Sequence, residues 1–533
     1  TVREAAPPDD RRMMFAEARS EVRRVGLALL TIVLLGGCSE PEPPFEPLIE
    51  HDGPNVLLIT LDTTRADHLG CYGYQRPGNP RPISPHLDAI AARGTVFTNA
   101  FCTASITPVS HASILTGQNP YTHGLRVLHG LHEYRLPDEA ETLGETLRSV
   151  GYETAAFVSA FPAGSRFGLA QGMATFDEDF LQDAESGIVT ADGTVNTGQN
   201  QRRAGDTTDR ALAWLDAHLE TAEKTDEAGQ GGAARPFFLW LHYFDPHDPA
   251  LLPPREYLDA RPIVAATRSE QLKQTYDLEI EYMDHHIGRV IEALKARDEL
   301  DNTVVVVVSD HGEGLGDHNW WTHGILYQEQ IRAVMIVAAP GQPAARTFEP
   351  LVRIIDIMPT VLELVGVDST YIPPTEGVSL ASVVAGAKSI DRPPSPQPDS
   401  SEPGLNESAE ESREADAEAP PRLVAYFDAV NTLSAYGETF LRQRGRRDDM
   451  LFGICDGRWK YIHHFHHETE SELYDLENDP GERKNLYGDP QQRRQAARLL
   501  KLLLERDLMP GKRRSEAMAA EDIERLRSLG YVK

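Results

Sequence analysis

Asp310-His311-Gly312-Glu313 follows the apolar run Thr303-Val-Val-Val-Val-Val-Ser309, which sets a carboxylate and an imidazole side by side. Carboxylate oxygens suit hard divalent cations, and an imidazole extends the choice to manganese or zinc. A strand-end cap is the structural alternative. Asp62 ends a second run, Val56-Leu-Leu-Ile-Thr-Leu61, and offers another carboxylate to the same metal. Thr107-Pro-Val-Ser-His111, before Ala112-Ser-Ile-Leu-Thr-Gly117, places a hydroxyl at a helix start. The positive end of a helix suits an attacking alkoxide and a bound anion. A metal on the same hydroxyl would lower its pKa further. A plain N-cap role for Thr107 or Ser110 fits the same position. His242-Tyr-Phe-Asp-Pro-His247 brings two imidazoles close to Asp245, and His323-Gly324 follows Trp320-Trp-Thr322. Such imidazoles can hold an anion or protonate a leaving group, or they can cap strand ends.

These residues need a frame that joins distant parts of the chain. The two runs ending in Asp62 and Asp310 are apolar throughout, as expected of central parallel strands buried on both faces. Phe237-Phe-Leu-Trp-Leu-His242 and Ala333-Val-Met-Ile-Val-Ala338 read as two more strands. Helical patterns alternate with them at Ser84–Ala92, Thr142–Val150, Thr207–Leu219 and Glu270–Arg297, with Ser84-Pro85 as a helix start. Strand–helix alternation predicts an α/β fold with a doubly wound, mostly parallel sheet flanked by helices. Ligands gather beyond the carboxyl ends of such strands, so Asp62 and Asp310 can converge. Residues 385–421 are rich in Pro, Ser, Glu and Asp and predict a disordered acidic insertion. Order is expected to resume at Leu423-Val-Ala-Tyr-Phe-Asp428. Strand-like Trp459-Lys-Tyr-Ile462 predicts a smaller C-terminal α+β subdomain over 422–490, and closing helices are expected at Gln491–Arg506 and Ala520–Leu529 within 491–533. The main domain spans 52–384. His463, His464, His466 and His467 form a tract that metals can use, although variable polar residues are expected there.

The chain has 533 residues, with 52 Lys+Arg against 82 Asp+Glu and a formal charge of −30. An acidic balance spread along the chain argues against nucleic acid, whose phosphates need a basic footprint. Its four Cys make neither a disulfide scaffold nor a CxxC zinc pattern. Arg23-Arg24, the short apolar run Val25–Leu35 and Gly36-Gly37-Cys38-Ser39 read as a signal peptide within 1–37. Residues before Met13 or Met14 read as an upstream extension. Leu35-Gly36-Gly37-Cys38 resembles the bacterial lipobox. It implies a membrane lipid anchor at Cys38, a Pro-rich tether over 38–51 and a place outside the cytoplasm, facing the periplasm or the cell surface. Asp183–Gly205 reads as a surface segment with no readable chemistry.

The motifs together resemble the sulfatase family of the alkaline phosphatase superfamily, from about Pro54 to Tyr487. Pro54-Asn-Val-Leu-Leu-Ile-Thr-Leu-Asp62 with Leu69-Gly-Cys-Tyr-Gly73 looks like the first strand and metal Asp. Ser309-Asp-His-Gly-Glu-Gly-Leu-Gly-Asp-His318 looks like the second metal segment, and Trp459–Ile462 with Glu472–Leu486 like the C-terminal signature. The departures concern the chemistry. Sulfatases oxidise a Cys or Ser in Cys-x-Pro-Ser-Arg to formylglycine, and that stretch here is Thr107–His111. A Thr cannot give the aldehyde, because its β-carbon already carries a methyl group. The paired metal Asp is Asp62-Thr63, and Ser159 and Phe161 occupy the usual Lys and His positions. This pattern resembles Thr-nucleophile relatives in the superfamily, the phosphodiesterases and phospho-headgroup transferases.

The resemblance implies a metal-dependent hydrolase that cleaves a sulfate or phosphate ester, of a small molecule, glycan or lipid, through Thr107. One divalent ion (Ca, Mg, Mn or Zn) is expected on Asp62, Thr107, Asp310 and His311. His242, His247 and His323 are expected to hold the anion or protonate the leaving alcohol, with His111 in the place of the family's Arg. Arg65 and Asp245 are candidate substrate contacts, and Arg65 can equally pair with Asp67. Asp245, His247 and His323 are the residues a second metal would use, but the Asp-x-x-x-His spacing of two-metal relatives is missing, so one metal is expected. A phosphodiesterase, a headgroup transferase and a non-catalytic binding lipoprotein are the alternatives.

Overall fold

The computed structural model describes residues 47–49, 51–78, 81–126, 135–180, 188–189, 195–196, 200–227, 235–247, 252–390, 423–429, 450–506, 521 and 524–525. All of them belong to one compact unit, Pro47–Lys533. The signal and Cys38, the acidic insertion beyond 390, much of Asp183–Gly205 and most of the helix expected at Ala520–Leu529 lie outside the described residues. No helix among the described residues is long and apolar enough to cross a membrane.

Strand β1 (Asn55–Leu61) lies at the centre of an eight-stranded sheet. Its apolar run has a direct cause. Val56 and Leu58 enter one core layer, with helices α2 (Thr107–Thr116), α3 (Leu143–Ser149) and α6 (Ile357–Leu364). Leu57, Ile59 and Leu61 enter the other, against α1 (Pro85–Arg93) and α5 (Arg268–Ala296). A strand covered on both faces has no polar side, so alternation disappears. The predicted helices form, most with small shifts at their ends, while the one expected at Thr207–Leu219 extends over Ala204–Glu227. Thr142 starts α3 with a capping box to Glu145.

The remaining strands of this sheet are β2 (Thr95–Phe97), β4 (Glu153–Val158), β5 (Thr175–Asp177), β6 (Phe237–Tyr243), β7 (Thr303–Ser309), β9 (Met335–Ala338) and β10 (Arg346–Phe348). A short β3 (Ala100–Phe101) pairs outside it with β8 (Arg332–Ala333) and β11 (Val352–Arg353). The sheet order is β10-β2-β9-β7-β1-β6-β4-β5. Strands β7, β1, β6, β4 and β5 run parallel. In the β1–β7 register Leu61 faces Ser309, so Asp62 and Asp310 leave the sheet side by side.

The run Ala333–Ala338 differs from expectation. It divides between β8 and β9, and β9 is antiparallel to both β7 and β2. A parallel return needs a crossover that carries the chain back to the opposite end of the sheet. Residues 310–331 instead fold back at the carboxyl edge of β7, so the next strand starts there and runs the other way. That reversal keeps the long loop bearing His323 beside Asp310.

The C-terminal subdomain is an antiparallel sheet of β12 (Ala425–Ala429), β13 (Leu451–Cys455), β14 (Trp459–His464) and β15 (Glu472–Asp475). Helix α7 (Arg493–Leu504) covers one face through Ala496, Leu499 and Leu503. The other face adds Phe427, Cys455, Ile462 and Tyr474 to the main core. Asp428 ties β12 to the start of the Thr107 segment. Its N–H donates to Thr103 O, and its carboxylate receives Arg126.

Candidate active site

Thr107 is the first residue of α2, with Pro108 next to it and Ile106 at the N-cap position. It is therefore inside the helix and not its N-cap residue. Its hydroxyl donates to Asp62 Oδ2 at 3.1 Å and lies 3.3 Å from His311 Nε2. Ser110 is no cap either, because its hydroxyl donates to Ala104 O at 2.6 Å. The helix-start hydroxyl therefore faces the metal candidates.

Asp62, Asp310 and His311 form the one three-ligand group found among the described residues, with donor atoms within 4.8 Å of one another. All three are fully buried. Asp310 Oδ1 accepts from Thr63 N at 3.2 Å and His311 N at 2.7 Å, while Asp310 Oδ2 and Asp62 Oδ1 have no hydrogen-bond partner. His311 Nδ1 donates to Gly312 O at 3.0 Å, which leaves the Nε2 lone pair directed at Thr107. Burial pushes both carboxyls well above their ordinary range, and Asp62 raises Asp310 further. Burial likewise holds His311 in its neutral form, with His323 adding to the effect. Two orphaned carboxylate oxygens, a neutral imidazole nitrogen and a hydroxyl make a donor set that fits a divalent cation. An unscreened carboxylate pair at this depth is costly without one. Gly312 lets the segment pass: a Cβ there would lie 2.1 Å from Glu329 O.

Thr63 takes a left-handed conformation, φ 49°, which a β-branched residue rarely adopts. Tyr276 holds it by donating its hydroxyl to Thr63 O and accepting Arg65 N, both at 2.8 Å. This turn aims Thr63 N at Asp310. Strain of this kind collects at functional sites.

His242 takes a different role from the expected one. Ser159 N donates to both His242 O and Nδ1. That leaves Nε2 as the proton-bearing nitrogen, 3.2 Å from Asp62 Oδ2. Burial and the charge of Arg202 hold its pKa near 3. His242 orients Asp62, a candidate metal ligand, and has no nitrogen left for substrate. His111 is also diverted. Its Nδ1 donates to Thr107 O at 2.8 Å, and Nε2 meets Thr60 Oγ1 at 3.1 Å. Its ring supports the first turn of α2 from behind. We expect His242→Ala to weaken Zn or Mn binding about 10- to 100-fold, the usual cost of removing an outer-shell partner, and His242→Gln to recover most of it through its amide N–H. Titration calorimetry on both variants checks this.

His247 and His323 face one another. Their Nε2 atoms are 3.1 Å apart, His323 Nδ1 donates to Ser105 O at 2.8 Å, and the His323 ring lies 4.5 Å from that of His311. His247 stacks on Phe244 and is the partly exposed member. Burial lowers His323 to about 4. The pair is neutral, with one proton between the facing nitrogens.

Two substrate candidates are corrected. Arg65 pairs with both oxygens of Asp67 and with Asp317 at 2.7 Å, and donates to Glu313 O. Its charge is neutralised there, and it lines a separate cavity of about 250 Å³ with His318, Arg332 and Arg483 that none of the Thr107 cluster lines. Asp245 caps α4 (Ala204–Glu227) by accepting Ala204 N at 3.0 Å. It forms no three-ligand group with His247 and His323, so that second metal set is not assembled. The histidine tract is dispersed too, with His464 on Glu472 and His463 on Tyr461.

Thr63, Ser159, Ser105 and Tyr276 are the working residues that sequence reasoning missed. The first three act through the main chain, which no residue type announces. Ser159 had a signal, since it stands where a family Lys was expected.

Comparison with known proteins shows which family the chain resembles. The Sulfatase family model matches residues 54–367, more than half of the chain, and the N-sulphoglucosamine sulphohydrolase C-terminal model matches 442–508. An arylsulfatase of Clostridium perfringens is 27% identical over 390 residues, covering 62% of this chain and 78% of its own. An N-acetylglucosamine-6-O-sulfatase of Bacteroides thetaiotaomicron is 24% identical over 560 residues, covering 89% of each. The phosphonate monoester hydrolase of Silicibacter pomeroyi shares the fold, with a TM-score of 0.59, 23% identity and coverage of 85% and 94%. The chain belongs to the sulfatase family of ester hydrolases.

Proposed function

We propose that the protein is a metal-dependent hydrolase that cleaves a sulfate or phosphate ester through Thr107 as nucleophile. The observation that carries this reading is the Thr107 hydroxyl, held between Asp62 Oδ2 and His311 Nε2 at the start of α2. Asp62, Asp310, His311 and Thr107 would hold the cation. When bound, it lowers the hydroxyl pKa and neutralises charge on the transferred group. Asp62 Oδ2 accepts the hydroxyl proton, and the N-terminal field of α2 favours the alkoxide. Thr107 then attacks sulfur or phosphorus in line. The N–H that His247 turns toward His323 would donate a hydrogen bond to a non-bridging or leaving oxygen, and a protonated form of the pair, recharged from solvent, would supply the proton to the leaving alcohol. The resulting Thr ester has no aldehyde-hydrate exit, so water must attack sulfur or phosphorus directly.

That requirement makes a phosphodiesterase the second reading, because a plain hydroxyl nucleophile suits phosphoryl transfer to water. A sugar or lipid ester is the substrate class we favour, by likeness to the sulfated-sugar relative. A lipid anchor at Cys38 is our reading of the lipobox-like motif and would place the enzyme outside the cytoplasm.

The test is a matched pair, an aryl sulfate and a bis-aryl phosphodiester, assayed with Mg, Ca, Mn and Zn. Turnover of one ester that needs both metal and Thr107 is expected. Metal-free turnover, or turnover indifferent to Thr107, would overturn the proposal. A dominant phosphodiester rate would select the second reading.

A further inference from the structure

The loop carrying His323 closes on itself through Gly314 N to Thr322 O, Gly316 N to Trp320 O and Trp320 Nε1 to His323 O, yet it holds strain. Leu315, His318 and Asn319 all have positive φ, between 47° and 58°, a region costly to residues with side chains. Contacts from outside offset that strain: Ser105 O receives His323 itself, and Ser105 Oγ donates to Ile325 O. Glu482 of the C-terminal subdomain does so on both sides of His323. Its main-chain oxygen receives His318 Nε2 at 3.2 Å, before His323, and its Oε2 receives Gln328 N at 2.7 Å, after it.

The grip is reinforced. His318 Nδ1 bonds Glu329 Oε1 at 2.8 Å, and its ring stacks on Tyr327 at 3.9 Å. Both His318 nitrogens face acceptors, an arrangement that favours the imidazolium. Burial opposes that charge, and Glu329 and Glu482 O outweigh burial. Tyr327 OH donates to Glu472 on β15. Glu482 is itself left-handed, φ 52°, only 2% exposed, and turned inward by Asp479, whose carboxylate receives Arg483 N and Lys484 N. Its counter-ion is Lys460 Nζ on β14, at 2.5 Å with both side chains fully buried. A buried ion pair is a poor source of stability, because desolvation offsets the attraction. Its best-attested use is to set register, and here the register is that of the His323 loop.

We propose that Glu482, charge-balanced by Lys460, is a positioning residue for His323. It would hold the Nε2 of His323 against His247 and beside His311, so that the C-terminal subdomain completes the active site. The proposal rests on the function assigned above.

The test uses the full chain. Lys460→Met/Glu482→Leu removes both charges together, which avoids leaving one buried and unpaired. Hydrogen–deuterium exchange should rise at least tenfold in the peptide spanning 320–331 and stay unchanged in β7 and α2. Zn affinity should hold within about twofold. On the preferred ester kcat should fall at least tenfold, with KM changed less than threefold. In a His323→Ala background the double change should cost less than a further twofold, since the group it positions is gone. Lys460→Met/Glu482→Gln, whose amide oxygen can again accept Gln328 N, should restore protection and kcat. Unchanged exchange, or losses that multiply with His323→Ala, would overturn the proposal. If the wild-type protein turns over neither ester, the assigned function falls, while the exchange pattern still decides whether Glu482 latches the loop.

Discussion

Replacing Thr107 by Ala should lower kcat/KM on the preferred ester by about 10³-fold or more, the scale seen when a nucleophile is removed from a cooperating site. Folding should be unaffected. Ile106, not Thr107, occupies the N-cap position, and Pro108 stays in the first turn of α2. Asp62, Asp310 and His311 stay in place, so metal affinity should fall only by the share of one donor in four. Thr107→Ser keeps the oxygen but loses the γ-methyl that restricts χ1. It should retain activity within about tenfold of wild type, because a freer hydroxyl reaches the attack geometry less often. Quenched turnover followed by peptide mass spectrometry should find the transferred group on Thr107 in the wild-type protein. Full activity of Thr107→Ala would exclude this hydroxyl as nucleophile. It would also redirect attention to a metal-activated water, which the same donor set can support.

Removing the metal should abolish turnover and lower the melting temperature together, and Asp310→Asn should separate the two effects. Asp62 and Asp310 lie side by side, fully buried, each with an oxygen that has no hydrogen-bond partner. Without a cation their charges oppose one another, which is why burial first, and then Asp62, drives the Asp310 carboxyl upward. Occupying a site at a hundredfold excess over its dissociation constant stabilises the fold by about 2.7 kcal/mol. That corresponds to a rise of several degrees at most in a chain of this size. Asp310→Asn removes one of the opposed charges, and its amide oxygen can still accept from Thr63 N and His311 N. The metal-free variant should therefore melt above metal-free wild type. It should gain little when Zn or Mn is added, and it should lose at least 10²-fold in kcat. Scanning fluorimetry with and without chelator, beside calorimetric stoichiometry, reads all three. A variant that melts lower in the metal-free state and still takes up one equivalent of metal would contradict the assignment of these two carboxylates.

The residue types of the site and their places at strand ends were legible in the chain itself. The apolar runs of β1 and β7 could only be strands covered on both faces, and in a wound sheet the residues just past their carboxyl ends converge. The convergence of Asp62, Asp310 and His311 followed from that. Thr107, at the position where the family resemblance implies an oxidisable Cys, was also read from the chain alone, since side-chain chemistry needs no structure to be read.

Roles that depend on which partner a side chain meets were decided by tertiary structure. Arg65 could clamp an anion or pair with Asp67, and Asp317, brought in from a distant loop, settles its charge locally. His242 and His111 look like free imidazoles in the chain. Ser159 N and Asp62 claim the two nitrogens of one, and Thr107 O and Thr60 those of the other. The direction of β9 was hidden because a fully buried strand looks the same whichever way it runs. Glu482 was hidden for a related reason. Its value lies in a left-handed backbone, a buried Lys460 and two contacts with a loop far away in sequence. Periodicity and residue type encode local geometry and burial, whereas hydrogen-bond partners are short-range and directional and exist only once distant segments are held within about 3 Å.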